Sequence, residues 1–285
     1  MAFLLYLCII TAASTHTSLT KMFNRQSEQS AVFNALRAVT AFVMFSLISL
    51  PGFRFHVPTL FFGMGYGIFL SISMYAGYLA LCLGPMALTS MMISFSVIFP
   101  VLWGILVQNE TVLPLQELAF LLLLTALILV NADKFRQKGQ TNPNSGKWLL
   151  TTAVTCLCNG ACSILQKEHQ TAFPSLYSRE FMMAAMGICS VIFLIIAVLK
   201  VSFRDFRQTS GKRFAILAGI ANPTANFLTL VLAGMENASV LFPMISAGTI
   251  FAALLWGILA FHEKPKGNQY AALAAGVLSI IFLKL

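Results

Sequence analysis

The chain has 285 residues, 58% of them hydrophobic and only 9% charged, where a soluble domain carries about a quarter charged residues. Together with a mean hydropathy of +0.84, this excludes an ordinary soluble protein, and the long unbroken apolar runs exclude a barrel of short alternating strands. The excess of 18 Lys+Arg over 9 Asp+Glu lies in short loops, where it reads as topology signal and headgroup contact and not as nucleic-acid affinity.

Ten apolar spans, each long enough to cross about 30 Å of hydrocarbon, are expected over residues 2–20, 31–50, 58–82, 86–107, 115–132, 147–166, 178–200, 212–234, 238–261 and 268–284. The first lacks a charged leading segment and an obvious cleavage site, so it reads as a retained helix and not a signal peptide. It holds Ser14, His16 and Thr17. His16, with an ordinary pKa near 6.5, suits either proton coupling or a structural hydrogen bond. Arg37 falls roughly 10 Å into the second span, where it could snorkel to headgroups or meet a substrate carboxylate or phosphate.

In the third span, Gly63-x-Gly65-x-Gly67 sits within apolar sequence. There Gly63 and Gly67 form a small-residue face for helix packing, not a phosphate loop. Tyr75 and Tyr78 could wall a cavity or fill core. Ser90, Ser94, Ser96 and Pro100 in the fourth span, and Pro243, Ser246 and Thr249 in the ninth, suit cavity lining or interhelical hydrogen bonds equally.

The sixth span offers Asn159 and Gln166. In the eighth, Asn222-Pro223-Thr224-Ala225-Asn226 places a proline that cannot bond the Gly219 carbonyl, so a kink or break is expected there. Asn222 and Asn226 share a helix face. They either build a substrate site at the break or satisfy the freed carbonyl and a neighbouring helix. The six cysteines (Cys8, Cys82, Cys156, Cys158, Cys162 and Cys189) fall inside apolar segments and read as small hydrophobes; no His or acid accompanies them at metal-ligand spacing.

The chain also repeats itself. Leu102-Trp103-Gly104-Ile105-Leu106 and Glu110 return 153 positions later as Leu255-Trp256-Gly257-Ile258-Leu259 and Glu263, with Gln116/Gln269 and Ala119/Ala272 in register. Self-similarity at half the chain length implies two copies of one unit. The expected division is residues 1–132, a polar linker at 133–146, and 147–285. Five helices per half is odd, so the second half enters the membrane inverted, as in many transporters. Lys21 and Lys167 close the first helix of each half. Glu110 and Glu263 read as interfacial residues marking the end of the fourth.

Loops after spans one, five, seven and nine hold thirteen bases, whereas the opposite side holds four: Arg54, Lys167, Arg179 and Lys284. By the positive-inside rule both termini lie outside the cytoplasm.

Ten helices in two halves, Glu110 and Glu263 after the fourth helix of each, Lys21, Arg37, and the small-residue run Ala271-Ala272-Leu273-Ala274-Ala275-Gly276 make the chain resemble the EamA-type drug/metabolite transporters along its whole length. It departs from them in the first helix, with Ala13-Ser14 where Trp-Gly is frequent. The resemblance implies an all-α fold of ten transmembrane helices as two inverted five-helix repeats, located in the cell membrane. It also implies termini on the cytoplasmic side, against the charge count, and export more than uptake.

The functional expectation is a secondary transporter working by alternating access. Its candidate substrate-binding residues are His16, Arg37, Tyr75, Tyr78, Ser94, Asn159, Asn222, Asn226 and Ser246. All nine carboxylates lie in loops or near span ends, so a buried lipophilic cation lacks its counter-charge. The cavity suits a small polar neutral or zwitterionic metabolite, with an amino acid the guess the resemblance favours. Beyond the substrate, the expected partners are the lipid bilayer and protons as a candidate coupling ion; nucleic acid is not among them, and a monomer or homodimer fits equally. No cofactor or metal is expected, and no enzyme: His16 lacks a ligand partner of the H-E-x-x-H kind. A flippase of lipid-linked polar substrates and a multidrug or quaternary-cation exporter are the alternatives.

Overall fold

The structure, a computed structural model, describes residues 2–24, 30–83, 89, 92–135, 145–261 and 267–284, and all regular structure among them is helical. The helices are α1 Ala2–Asn24, α2 Ser30–Ser49, α3 Val57–Leu83, α4 Met92–Leu106, α5 Pro114–Phe135, α6 Ser145–Ala172, α7 Ser178–Lys200, α8 Phe203–Gln208, α9 Lys212–Ala233, α10 Ala238–Phe261 and α11 Gly267–Lys284. A 3-10 turn, Leu50–Gly52, follows α2, and another, Phe95–Val97, lies within α4. Six helices (α1, α2, α3, α6, α7 and α9) are long and apolar enough to cross a membrane, and α4, α5, α10 and α11 contain shorter apolar stretches.

Outward faces match hydrocarbon and not water. Phe3, Leu47, Phe61, Leu121 and Val198 are all more than 60% exposed, a distribution a soluble monomer avoids on contiguous surface. These features fit an all-α membrane protein.

Three departures from the expected pattern have physical reasons. The sixth span ends not at 166 but at Ala172, because Gln166, Lys167, His169 and Gln170 are buried by partners and continue the helix as polar core. The stretch after Lys200, expected as loop, contains α8; Ser202 caps it, its hydroxyl accepting the Asp205 N–H at 3.1 Å and donating to Asp205 Oδ2 at 2.7 Å. The third departure is at Pro223, where a kink or a break was expected: the helix does not break, because α9 continues on both sides of the proline from Lys212 to Ala233. Residues 136–144 of the expected linker, and Ser90, Glu263, Lys264 and Lys266, lie outside the described residues.

The chain forms two compact units, each drawing on both sequence halves. The first comprises Met1–Ser71 and Glu168–Gly234. In it α1 packs along α9, and α2 packs against α7 and α9. Gly63 and Gly67 set the distance between α3 and α7: a Cβ on Gly63 would stand 2.6 Å from the Phe181 carbonyl oxygen, and one on Gly67 would strike the Ala185 carbonyl. At one end, Phe23, Phe33, Ala215 and Ala218 form a buried cluster, with the Phe23 and Phe33 rings 4.8 Å apart.

The second unit comprises Ile72–Lys167 and Met235–Leu285. Here α5 packs along α11, and α10 lies against α11 and α4. The Ser279 hydroxyl donates to the Ala119 carbonyl at 2.8 Å and ties α11 to α5.

Candidate functional site

In the first unit, α1 and α2 bring two expected residues together. Arg37 Nη1 lies 2.9 Å from His16 Nε2. A guanidinium carries donors only, so His16 Nε2 accepts and the ring proton sits on Nδ1. Arg37 is 8% exposed and its Cζ lies 5.8 Å from the Phe33 ring centroid. That inward placement excludes the snorkelling geometry open to it from sequence. A proton arriving at His16 Nε2 would have to displace Arg37 first.

On α9, Asn226 Nδ2 donates to Asn222 Oδ1 at 3.3 Å, and both side chains are half-buried. The one-turn spacing therefore gives the shared face expected, on an unbroken helix. Phe227, the next residue, lines a cleft of about 470 Å³ together with Arg54, Tyr177, Arg179 and Glu180. Glu180, 4% exposed, accepts the Arg54 backbone N–H at 3.2 Å.

Beside this cleft lies a buried polar chain that the sequence reading did not single out. His56 Nδ1 is 2.9 Å from Thr59 Oγ1, which is 3.0 Å from His169 Nε2. Gln170 Nε2 is 3.2 Å from His169 Nδ1 and donates to Ser178 Oγ at 2.9 Å, while Gln170 Oε1 accepts the Ser175 N–H at 3.0 Å. The His56 ring stacks on Tyr177 at 4.3 Å, and Tyr177 itself adopts a left-handed backbone, φ 54°.

The second unit holds the remaining expected residues. Asn159 Oδ1 accepts a hydrogen bond from Ser73 at 2.7 Å, an α3–α6 contact. Tyr75, Ser94 and Ser246 are half-buried, and Tyr78 is 41% exposed. The Ser246 carbonyl accepts from Thr249.

The most developed geometry in this unit surrounds Glu110. After α4 the chain reverses through Asn109 in the left-handed region, φ 53°, and the Glu110 N–H closes back on the Gly104 carbonyl at 2.9 Å. Glu110 Oε1 accepts the Ala238 N–H at 2.7 Å and Oε2 the Ser239 N–H at 2.9 Å, so the carboxylate caps the first turn of α10. Lys167 Nζ stands 3.6 Å from Glu110 Oε1 and donates to the Glu236 carbonyl at 2.7 Å. A Cβ on Gly104 would lie 2.5 Å from Glu110 Oε2 and 3.1 Å from the Ala238 Cβ. In the first copy of the pentapeptide, the glycine is therefore the space in which the following glutamate sits. Sequence reasoning marked Glu110 and Lys167 separately as boundary residues; the constant spacing of glycine and glutamate in both copies was the signal that they act as a unit.

Neither a family model nor a curated protein matches the chain. A solved crystal structure of a protein at 17% identity superposes with a TM-score of 0.80, covering 99% of this chain and 95% of its own, a likeness of fold alone.

Proposed function

We propose that the protein is a membrane transporter of the EamA type, ten transmembrane helices in two inverted five-helix repeats, moving a small polar metabolite by alternating access. The observation that carries this reading is that counterpart helices pack on each other. The second helices of the two halves, α2 and α7, are in contact, as are the fourth, α4 and α10, and the fifth, α5 and α11. The α2–α7 contact is antiparallel: Leu36, near the start of α2, shares a groove with Val198 near the end of α7, and Phe42, further along, meets Gly187 earlier in α7. Antiparallel contact between counterparts is what a twofold axis in the membrane plane demands.

Within this reading Arg37, held by His16, is the group that meets a substrate carboxylate, and the Asn222–Asn226 amides orient the polar remainder. An amino acid or related zwitterion has both features. The test is a thermal-shift screen of purified protein against amino acids, sugars, nucleosides and quaternary cations, since a ligand that binds only the native state raises its apparent stability. The stabilising solute is then assayed for transport in liposomes of plain phospholipid. Asn226→Leu is expected to abolish that transport with unfolding temperature unchanged; wild-type kinetics would make the amides structural. Stabilisation by quaternary cations alone would replace the metabolite reading with multidrug export, and no solute movement without a lipid-linked carrier would replace it with a flippase.

A further inference from the structure

The segment 200–213, Lys-Val-Ser-Phe-Arg-Asp-Phe-Arg-Gln-Thr-Ser-Gly-Lys-Arg, joins two long apolar helices and holds five bases against one acid. The acid, Asp205, is engaged by the Ser202 hydroxyl. Lys212 packs over the Phe206 ring at 4.8 Å and donates to the Arg207 carbonyl, and Arg213 lies over Phe214 at 5.0 Å. Arg204 and Arg207 project outward and are exposed. The same short helix borders an open groove of about 550 Å³, lined by Leu36 and Val39 of α2, Leu194, Ala197 and Val198 of α7, and Phe206 of α8.

We propose that this groove is a binding site for one anionic phospholipid, an acyl chain lying between α2 and α7 and the phosphate resting on Arg204 and Arg207. The inference rests on the chain being a membrane protein and is independent of whether it transports anything. Each half of the site asks for a different chemistry. The walls offer no charge to a polar ligand, so the groove selects hydrocarbon. The two exposed guanidiniums on the short helix that contributes Phe206 to the groove select a phosphate, which guanidinium forks bind in bidentate fashion. Only an anionic amphiphile satisfies both at once, and basic pockets beside transmembrane helices hold such headgroups elsewhere. Phe206 joins the two halves, because the same short helix lines the groove with its ring and presents the arginines outward.

Native mass spectrometry of the full chain, purified from the membrane fraction in detergent carrying phosphatidylglycerol and phosphatidylcholine at equal mole fraction, tests this. Phosphatidylglycerol is expected to be retained in preference, and Arg204→Gln/Arg207→Gln to reduce that preference by about fivefold per base removed. Ala197→Trp, which fills the groove, is expected to abolish retention while the arginines remain. Lys147→Gln, removing an exposed base at the start of α6, should change nothing. Equal retention of both lipids, an unchanged preference in the double variant, or an equal loss in Lys147→Gln would each overturn the site. Displacement of the lipid by glycerol phosphate at millimolar concentration would overturn the groove's part in it. Absence of the protein from the membrane fraction would instead overturn the membrane reading on which the site rests, and failure of transport leaves this assay untouched.

Discussion

The carboxylate of Glu110 stands between the Lys167 ammonium, at 3.6 Å, and the first two N–H groups of α10, at 2.7 and 2.9 Å. Three segments far apart in sequence thus meet at one side chain: the end of α4, the last part of α6 and the beginning of α10. The helix dipole and the ammonium both favour a negative charge there. Both side chains are largely enclosed, 10% exposed for Lys167 and 6% for Glu110, so each depends on the other to offset its loss of hydration.

Glu110→Ala is therefore expected to destabilise the protein by about 3 kcal/mol, the cost of leaving a buried charge without its partner. Gly104→Ala should cost about 1–3 kcal/mol by driving a methyl into the carboxylate. Because both changes act on one contact, the double variant should lose less than the two losses added together. Unfolding midpoints in detergent measure all three, and strict additivity would show that Gly104 and Glu110 act separately.

A second set of variants tests the α3–α7 contact. Gly63→Ala and Gly67→Ala each place a methyl against a carbonyl of α7 and should each destabilise by about 1–3 kcal/mol. Gly276→Ala on α11 meets nothing within 4 Å and should be neutral or stabilise by up to about 1 kcal/mol. Equal effects at the three positions would show that close packing is not what selects glycine in α3.

Orientation can be read from two engineered cysteines. Lys167 and Glu236 are bonded to each other, which puts Asn237 at the Lys167 end of α6. Ser145, at the other end of the same helix, is roughly 33 Å away along its axis. The charge asymmetry of the loops puts the Asn237 end outside. In a background with Cys8, Cys82, Cys156, Cys158, Cys162 and Cys189 replaced, Asn237→Cys should react with an impermeant maleimide in whole cells and Ser145→Cys should not. The reverse pattern would place the termini in the cytoplasm.

Helix positions were legible because a bilayer demands long apolar runs and the sequence supplies them. What hydropathy could not register was polar structure with buried partners. Residues 167–172 look like loop, yet they are helix, because Thr59 and Glu110 satisfy His169 and Lys167. Helix α8 was missed for the opposite reason: six residues with three charges carry no apolar run at all. At Pro223 the local rule allowed a kink or a break, and the helix continues through it without a break. Of the expected site residues, the pairs His16–Arg37 and Asn222–Asn226 are in contact. The second pair is readable from its one-turn spacing, whereas the first joins different helices and no local pattern encodes it.

The chain from Ser175 to His56 has one consistent direction. The Ser175 N–H fixes Gln170 Oε1 as an acceptor, so the Gln170 amide nitrogen is the group facing His169 Nδ1. An amide nitrogen only donates; Nδ1 must accept, and a neutral His169 then carries its proton on Nε2. That proton points at Thr59, whose own hydroxyl hydrogen is left for His56 Nδ1. Five groups thus share a single donor order, set at a loop backbone amide and delivered to a ring at the edge of the cleft. Thr59→Val would strand the His169 N–H in a place with no exposure at all, and at the same moment deprive His56 of the contact that assigns its tautomer.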